Sequence, residues 1–171
     1  MAVGFEIERR FLIERPDVSL LCSHYDVEIR AILQTYLVAP EGYSSERVRR
    51  VAVGGEVTYT HTRKRRVARD TALEEEETVD EARYQELLLR ADPERRPIEK
   101  QRVTFCVGRQ CYEIDLYPFF ERVSILETEL SASDDQLDFP SELVLIREIT
   151  GISSLSNHAL ARQVPSEESL I

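Results

Sequence analysis

In Phe5-Glu6-Ile7-Glu8-Arg9-Arg10-Phe11-Leu12-Ile13, Glu6, Glu8 and Arg10 fall on one side of an extended chain, with Phe5, Ile7, Phe11 and Ile13 on the other. Side chains alternate faces with period two along a strand, so this stretch is a strand apolar on one face and ionic on the other. The alternation recurs in later segments, with acids and bases again spaced by two. Repeated ionic rows of this kind imply a charged cavity rather than a single wet surface.

A chain of 171 residues fits one domain, taken as 1–171, and is long enough to bury a sizeable core. A net charge of −10 argues against general binding to nucleic acid or to anionic membranes, although a local basic pocket can still hold phosphate. No apolar run approaches the roughly 20 residues of a membrane span. The start has no basic, then apolar, then small-residue pattern of a secretory leader, so the expected compartment is the cytoplasm. Cys22, Cys106 and Cys111 match no zinc spacing and are read as reduced structural thiols, a cytoplasmic disulfide being disfavoured.

The pattern predicts strands at 4–13, 32–38, 46–53, 56–64, 72–79, 98–107, 110–117 and 123–130. A helix is predicted from Asp80, a suitable N-cap, to Arg90, stopped by Ala91-Asp92-Pro93. A second helix is expected within 18–29, and short helices within 141–147 and 154–163, before a frayed tail over 164–171. Gly54-Gly55 and Gly108-Arg109 have the composition of two-residue hairpin turns. Such turns place Arg49 opposite Thr60, Arg47 opposite Thr62, Arg102 opposite Asp115 and Cys106 opposite Cys111. Cross-strand partners share a face, so each hairpin gathers its ionic residues on one side. Eight strands with few helices form a mainly antiparallel α+β fold, closed into a barrel that removes exposed edges.

The bases are Arg10, Arg47, Arg49, Lys64, Lys100 and Arg102; the acids are Glu6, Glu8, Glu74, Glu76, Glu113, Asp115, Glu127 and Glu129. One arrangement makes these faces solvated and fills the barrel with Val48, Val103, Phe105, Ile114, Leu116 and Leu126. The other turns the ionic rows inward and covers the apolar rows with helices. Signs segregate by strand, with bases on the third, fourth and sixth and acids dominating the first, fifth, seventh and eighth. That segregation favours the inward arrangement. Arg forks suit phosphate oxygens, and carboxylates suit Mg²⁺ or Mn²⁺. A lumen of unpaired charges is costly, so it stays wet or takes a compensating ligand.

The ordered set resembles the triphosphate tunnel metalloenzymes, or CYTH-like superfamily. The residues carrying the likeness are Glu6-Ile7-Glu8-Arg9-Arg10, Gln34-Thr35-Tyr36-Leu37, Arg47-Val48-Arg49, Tyr59 to Lys64, Glu74 to Glu76, Lys100-Gln101-Arg102, Glu113-Ile114-Asp115 and Glu127-Thr128-Glu129-Leu130. The closing stretches Arg147-Glu148-Ile149-Thr150-Gly151 and Ser156-Asn157-His158-Ala159-Leu160 extend it over nearly the whole chain. Thr58-Tyr59-Thr60-His61-Thr62 looks like a divergent branch, and no P-loop motif occurs. Arg10 stands where the family signature has lysine, which puts catalytic rate in question while keeping the charge.

The resemblance implies an eight-stranded tunnel, with helices outside, that hydrolyses a triphosphate such as inorganic triphosphate or a nucleoside triphosphate. It implies substrate binding by Arg10, Arg47, Arg49, Lys64, Lys100 and Arg102, with Lys64, Glu8 and Arg10 catalytic. Glu6, Glu8, Asp115, Glu127 and Glu129 would hold Mg²⁺ or Mn²⁺, with Glu74, Glu76 and Glu113 as further candidates. The expected partner is a small triphosphate or polyphosphate, with no nucleic acid and a monomer or homodimer as the working state. Alternatives are a phosphate-ligand binding module without turnover, and a class IV-type adenylate cyclase. His24, His61 and His158 are too scattered for a metal site, and Ser124 and Ser131 lack triad partners. Arg63-Lys64-Arg65-Arg66 is read as a phosphate-facing Lys64 followed by a solvated basic turn.

Overall fold

The computed structural model describes residues 2–68, 71–131 and 137–171, with residues 2–6 by backbone alone. The expected metal role of Glu6 therefore lies outside the described side chains. The alternating segments form β1 (Ala2–Glu14), β2 (Glu28–Leu37), β3 (Ser45–Val53), β4 (Glu56–Arg66), β5 (Thr71–Val79), β6 (Ile98–Val107), β7 (Gln110–Leu116), β8 (Val123–Glu129) and β9 (Leu145–Glu148). The helices are α1 (Val18–His24), α2 (Glu81–Leu88) and α3 (Asn157–Leu160).

The strands run in the order β5-β4-β3-β2-β6-β7-β8-β1, and β1 returns to pair with β5, closing an antiparallel barrel. The long β1 makes this possible. Ala2 to Ile7 pair with β5, while Phe11 to Ile13 pair with β9. Closure leaves few strand edges open to pairing with another chain. Both hairpin registers are as the turns require, with Arg49 opposite Thr60 and Arg102 opposite Asp115. Gly54 (φ 56°), Gly55 (φ 90°) and Gly108 (φ 59°) supply the left-handed backbone of those turns.

The outward apolar rows are covered as expected. Phe11, Ile13, Val103, Phe105, Ile114 and Leu126 pack with Leu21 of α1 and with Leu143. Tyr84 and Leu87 of α2 cover Leu37 and Val48. Asp17 caps α1 by accepting from the Ser19 N–H at 2.9 Å, and Asp80 caps α2 through the Arg83 N–H at 2.8 Å. Each fully buried leucine of these contacts stabilises the fold by about 1.5–3 kcal/mol relative to exposure.

A third apolar cluster lies inside the barrel. Leu12, Ile98 and Ile125 share the strand face of Arg10, Lys100 and Glu127, yet they pack with Ile149, Leu155, Leu160, Ala161 and Leu170. The C-terminal segment thus stoppers one end. The helices α1 and α2 pack outside as expected, and the single turn α3 rests against the inward row at that end.

Three expectations are corrected. Residues 145–148 are strand rather than part of a helix over 141–147, because the run Leu143-Val144-Leu145-Ile146 fits either period and the edge of β1 captures it. The tail is docked rather than frayed: Leu170 is buried, and Glu167 accepts the N–H groups of Arg122 and Val123 at 2.8 and 3.1 Å. Cys106 and Cys111 form a disulfide rather than staying reduced, since their direct opposition brings the Cα atoms to 4.0 Å. Cys22 is free and exposed.

Candidate functional site

The ionic rows converge inside the barrel. A cavity of about 1120 Å³ is lined by Glu8, Arg10, Arg47, Arg49, Lys64, Glu74, Glu76, Arg102, Glu113, Glu127 and Glu129. Lys100 and Asp115 stand behind them in the wall, 4% and 0% exposed. On β5, Glu74 and Glu76 face the cavity, while Glu75 accepts from the Tyr43 hydroxyl at 2.9 Å and Glu77 meets His61 at 3.0 Å.

Asp115 organises the deepest part. One oxygen accepts from Lys100 Nζ at 2.5 Å and from Arg102 at 2.8 Å; the other accepts from Arg102 Nε at 2.7 Å. Arg102 reaches on to Glu127 at 2.6 Å and to Glu113, and Glu127 accepts from Arg10 Nε at 3.0 Å. Burial opposes the charge on Arg10, Arg102, Asp115 and Glu127, but their partners outweigh it. Asp115 and Glu127 hold Arg102 well above the usual range, and Arg102 and Arg10 hold Glu127 well below it. Arg10 is also tied to the stopper, donating to the Leu155 carbonyl at 2.9 Å, while its backbone N–H donates to Thr150 Oγ1 at 3.0 Å. The buried carboxylates and guanidinia therefore keep one another ionised.

Two cations are compensated differently. Arg49 donates from Nε to Gln34 Oε1 at 2.6 Å, and Gln34 Nε2 donates to the Tyr36 hydroxyl at 2.7 Å. No carboxylate makes an ion pair with Arg49 among the described residues. Burial, then the neighbouring Arg47 and Arg102, pushes Arg49 down to about 10. Burial, then Arg102, likewise pushes Lys100 down to about 7 despite its contact with Asp115. Along β3, β4 and β5, Lys64 meets Glu74 at 2.8 Å, and Arg47 lies 3.6 Å from the same carboxylate.

Acids crowd another part of the cavity. Glu8 stands across from Glu129 in the β1–β8 register, and Glu113 across from Glu127. Burial, then Glu113, Glu8 and Glu74, pushes the Glu129 carboxyl up. Like charges held together in this way favour a cation. Among the described residues, however, no three His, Cys, Asp or Glu side chains form a ready-made metal cluster. Asp115 and Glu127 have both oxygens engaged by Lys100, Arg102 and Arg10. The carboxylates left to meet a hard divalent cation are therefore Glu8 and Glu129, with the one Glu113 oxygen that Arg102 does not take, completed by water and ligand oxygens.

Sequence reasoning placed the inward rows but assigned no role to Gln34, Tyr36 or Asn157, whose neutral side chains carry no periodic charge signal. It also left Glu46 unmentioned. That carboxylate, 0% exposed on the outer face, accepts from His61 Nε2 at 2.7 Å, Arg63 Nε at 3.1 Å and Arg90 at 2.6 Å. His61 is structural, as expected, and Arg63 serves this outer cluster rather than the cavity.

No family model and no curated protein matches the chain. Solved structures do. The inorganic triphosphatase NE1496 matches with 26% identity and a TM-score of 0.56, over 94% of this chain and 100% of that one. PH1819 from Pyrococcus horikoshii OT3 matches with 18% identity and a TM-score of 0.59, over 75% and 80%. PH1012 of the same organism matches with 17% identity and a TM-score of 0.52, over 75% and 81%.

Proposed function

This chain has the triphosphate tunnel metalloenzyme fold, and we propose that it hydrolyses a triphosphate inside the barrel with Mg²⁺ or Mn²⁺. The observation that carries this reading is the Arg49 guanidinium, facing a large cavity beside Arg47 and Arg102 with no carboxylate ion pair of its own among the described residues. Like charges gathered at a wet wall are stabilised by an anion with several oxygens, and forked guanidinia match phosphate geometry. The likeness to the inorganic triphosphatase NE1496 favours inorganic triphosphate among the candidate substrates.

In this scheme Arg47, Arg49, Lys64 and Arg102 bind and orient the phosphate chain. Phosphoryl transfer gains mostly from such positioning and charge neutralisation. Gln34 aims Arg49, and Asp115 aims Arg102. Arg10 acts through Glu127, which it holds against Arg102. Lys100 sits close to its titration point at neutral pH, so an arriving anion favours its protonated form and the wall gains positive charge on binding. Glu8, Glu113 and Glu129 would hold the metal, which when bound polarises the terminal phosphoryl group and acidifies a water.

Orthophosphate release from tripolyphosphate, compared with a panel of nucleoside triphosphates and with EDTA present, tests the proposal. Release that needs Mg²⁺ or Mn²⁺ is the expected result. Tight binding without product would reduce the domain to a binding module, a cyclic nucleotide from ATP would make it a cyclase, and no binding would reject the site.

A further inference from the structure

We infer that Asn157, carried by the stopper, binds the ligand directly, its side-chain amide N–H donating to an oxygen of the anion held by the arginine wall. This rests on the triphosphate-binding reading above. Asn157 opens α3, whose N-cap Ser156 accepts from the Ala159 N–H at 3.1 Å, so the helix start is fixed. Its Oδ1 accepts from the Tyr117 hydroxyl at 2.7 Å and faces Lys100 Nζ at 3.5 Å. An ammonium only donates, so the oxygen of the amide must point to Lys100 and Tyr117, and Nδ2 must point the other way.

Asn157 is 8% exposed and lines the cavity. Nδ2 has no acceptor among the described residues, and it is not one of the closed-off polar atoms lacking a partner, so its remaining surface opens on the cavity. The cation beside it, Lys100, donates to Asp115 and so offers Nδ2 no lone pair. The acceptor that satisfies Nδ2 therefore comes from the ligand or from water. Tyr117 and Lys100 clamp the opposite end of the amide, so this donor is held in place before the ligand arrives. The simpler alternative is that Asn157 only supplies an acceptor to Tyr117 and Lys100. Aspartate would serve that purpose equally well.

Calorimetric titration with sodium tripolyphosphate at fixed pH separates the two. Asn157→Ala should weaken binding roughly 10- to 150-fold, the range for a hydrogen bond to a charged group. Asn157→Asp keeps the acceptor, so its melting temperature should match the native protein while its affinity falls at least as far. Ser153→Asp adds the same charge at an exposed cavity position and should weaken binding less than about threefold, since exposed charges are screened. Native-like affinity in Asn157→Asp overturns the inference, as does an equal loss in Ser153→Asp. A role confined to steadying Lys100 would shift the pH profile of turnover without changing affinity, and that result also overturns it. Failure of the native protein to bind tripolyphosphate would remove the parent reading along with this one.

Discussion

Replacing Asp115 by Asn should unfold this protein at a markedly lower temperature, because both of its oxygens are bonded to buried cations. The carboxylate is 0% exposed, and its two oxygens accept from Lys100 Nζ, Arg102 Nε and a second Arg102 nitrogen. The amide keeps the shape and one acceptor but leaves Arg102 and Lys100 beside Arg49 with less counter-charge. Removing one partner of a buried ion pair costs about 3–5 kcal/mol. For a domain of this size each kcal/mol moves the midpoint by roughly 2–4 °C, so the fall should be on the order of 6–20 °C. Tripolyphosphate supplies the missing negative charge, and saturating ligand should recover part of the loss; at one hundred times its dissociation constant a ligand contributes about 2.7 kcal/mol. Thermal melts followed by circular dichroism, with and without tripolyphosphate, give both numbers. A metal-ligand role predicts the opposite sign, since thinning an acidic cluster leaves the metal-free protein unchanged or more stable. An Asp115→Asn midpoint within 2 °C of native would refute the reasoning.

Arg49→Gln should bind tripolyphosphate roughly 10- to 150-fold more weakly while melting at or above the native temperature, since it removes a cation crowded by Arg47 and Arg102; titration and melting on the same variant check the pair. Lys100 titrates near pH 7 when folded and about 10.4 when unfolded, so between these values the unfolded chain binds the extra proton and stability should rise with pH. Below pH 7 Lys100 contributes no slope, and melts from pH 7 to 9 should flatten in Lys100→Met. Leu160→Ala, at a stopper side chain 3% exposed, should cost about 2–5 kcal/mol in urea unfolding, whereas Leu89→Ala, at a side chain 86% exposed, should stay within about 0.5 kcal/mol.

The barrel was legible because strand alternation is a strong signal here and Gly54-Gly55 and Gly108 fix two registers by turn geometry alone. Those registers carried Arg47, Arg49, Arg102 and Asp115 to the right face. The stopper was not legible, although its signal lies on the same strands: past Arg10 the inward row becomes Leu12, and past Glu127 it becomes Ile125, where an open tunnel would stay polar. Residues 145–148 read equally well in helical or strand period, and only the free edge of β1 decides between them. The separation of Asp115 from Glu8 and Glu129 depends on which side chains meet across the lumen. A pattern along one strand cannot contain that information. The neutral residues Gln34 and Asn157 act by fixing a hydrogen-bond direction, and composition is silent about direction.

A crystal structure of the protein soaked with tripolyphosphate addresses the central claim most directly. The account predicts phosphate density inside the barrel, against Arg47, Arg49 and Arg102. Density confined to the exterior side chains Arg63 and Arg65, with the lumen holding water alone, would contradict it.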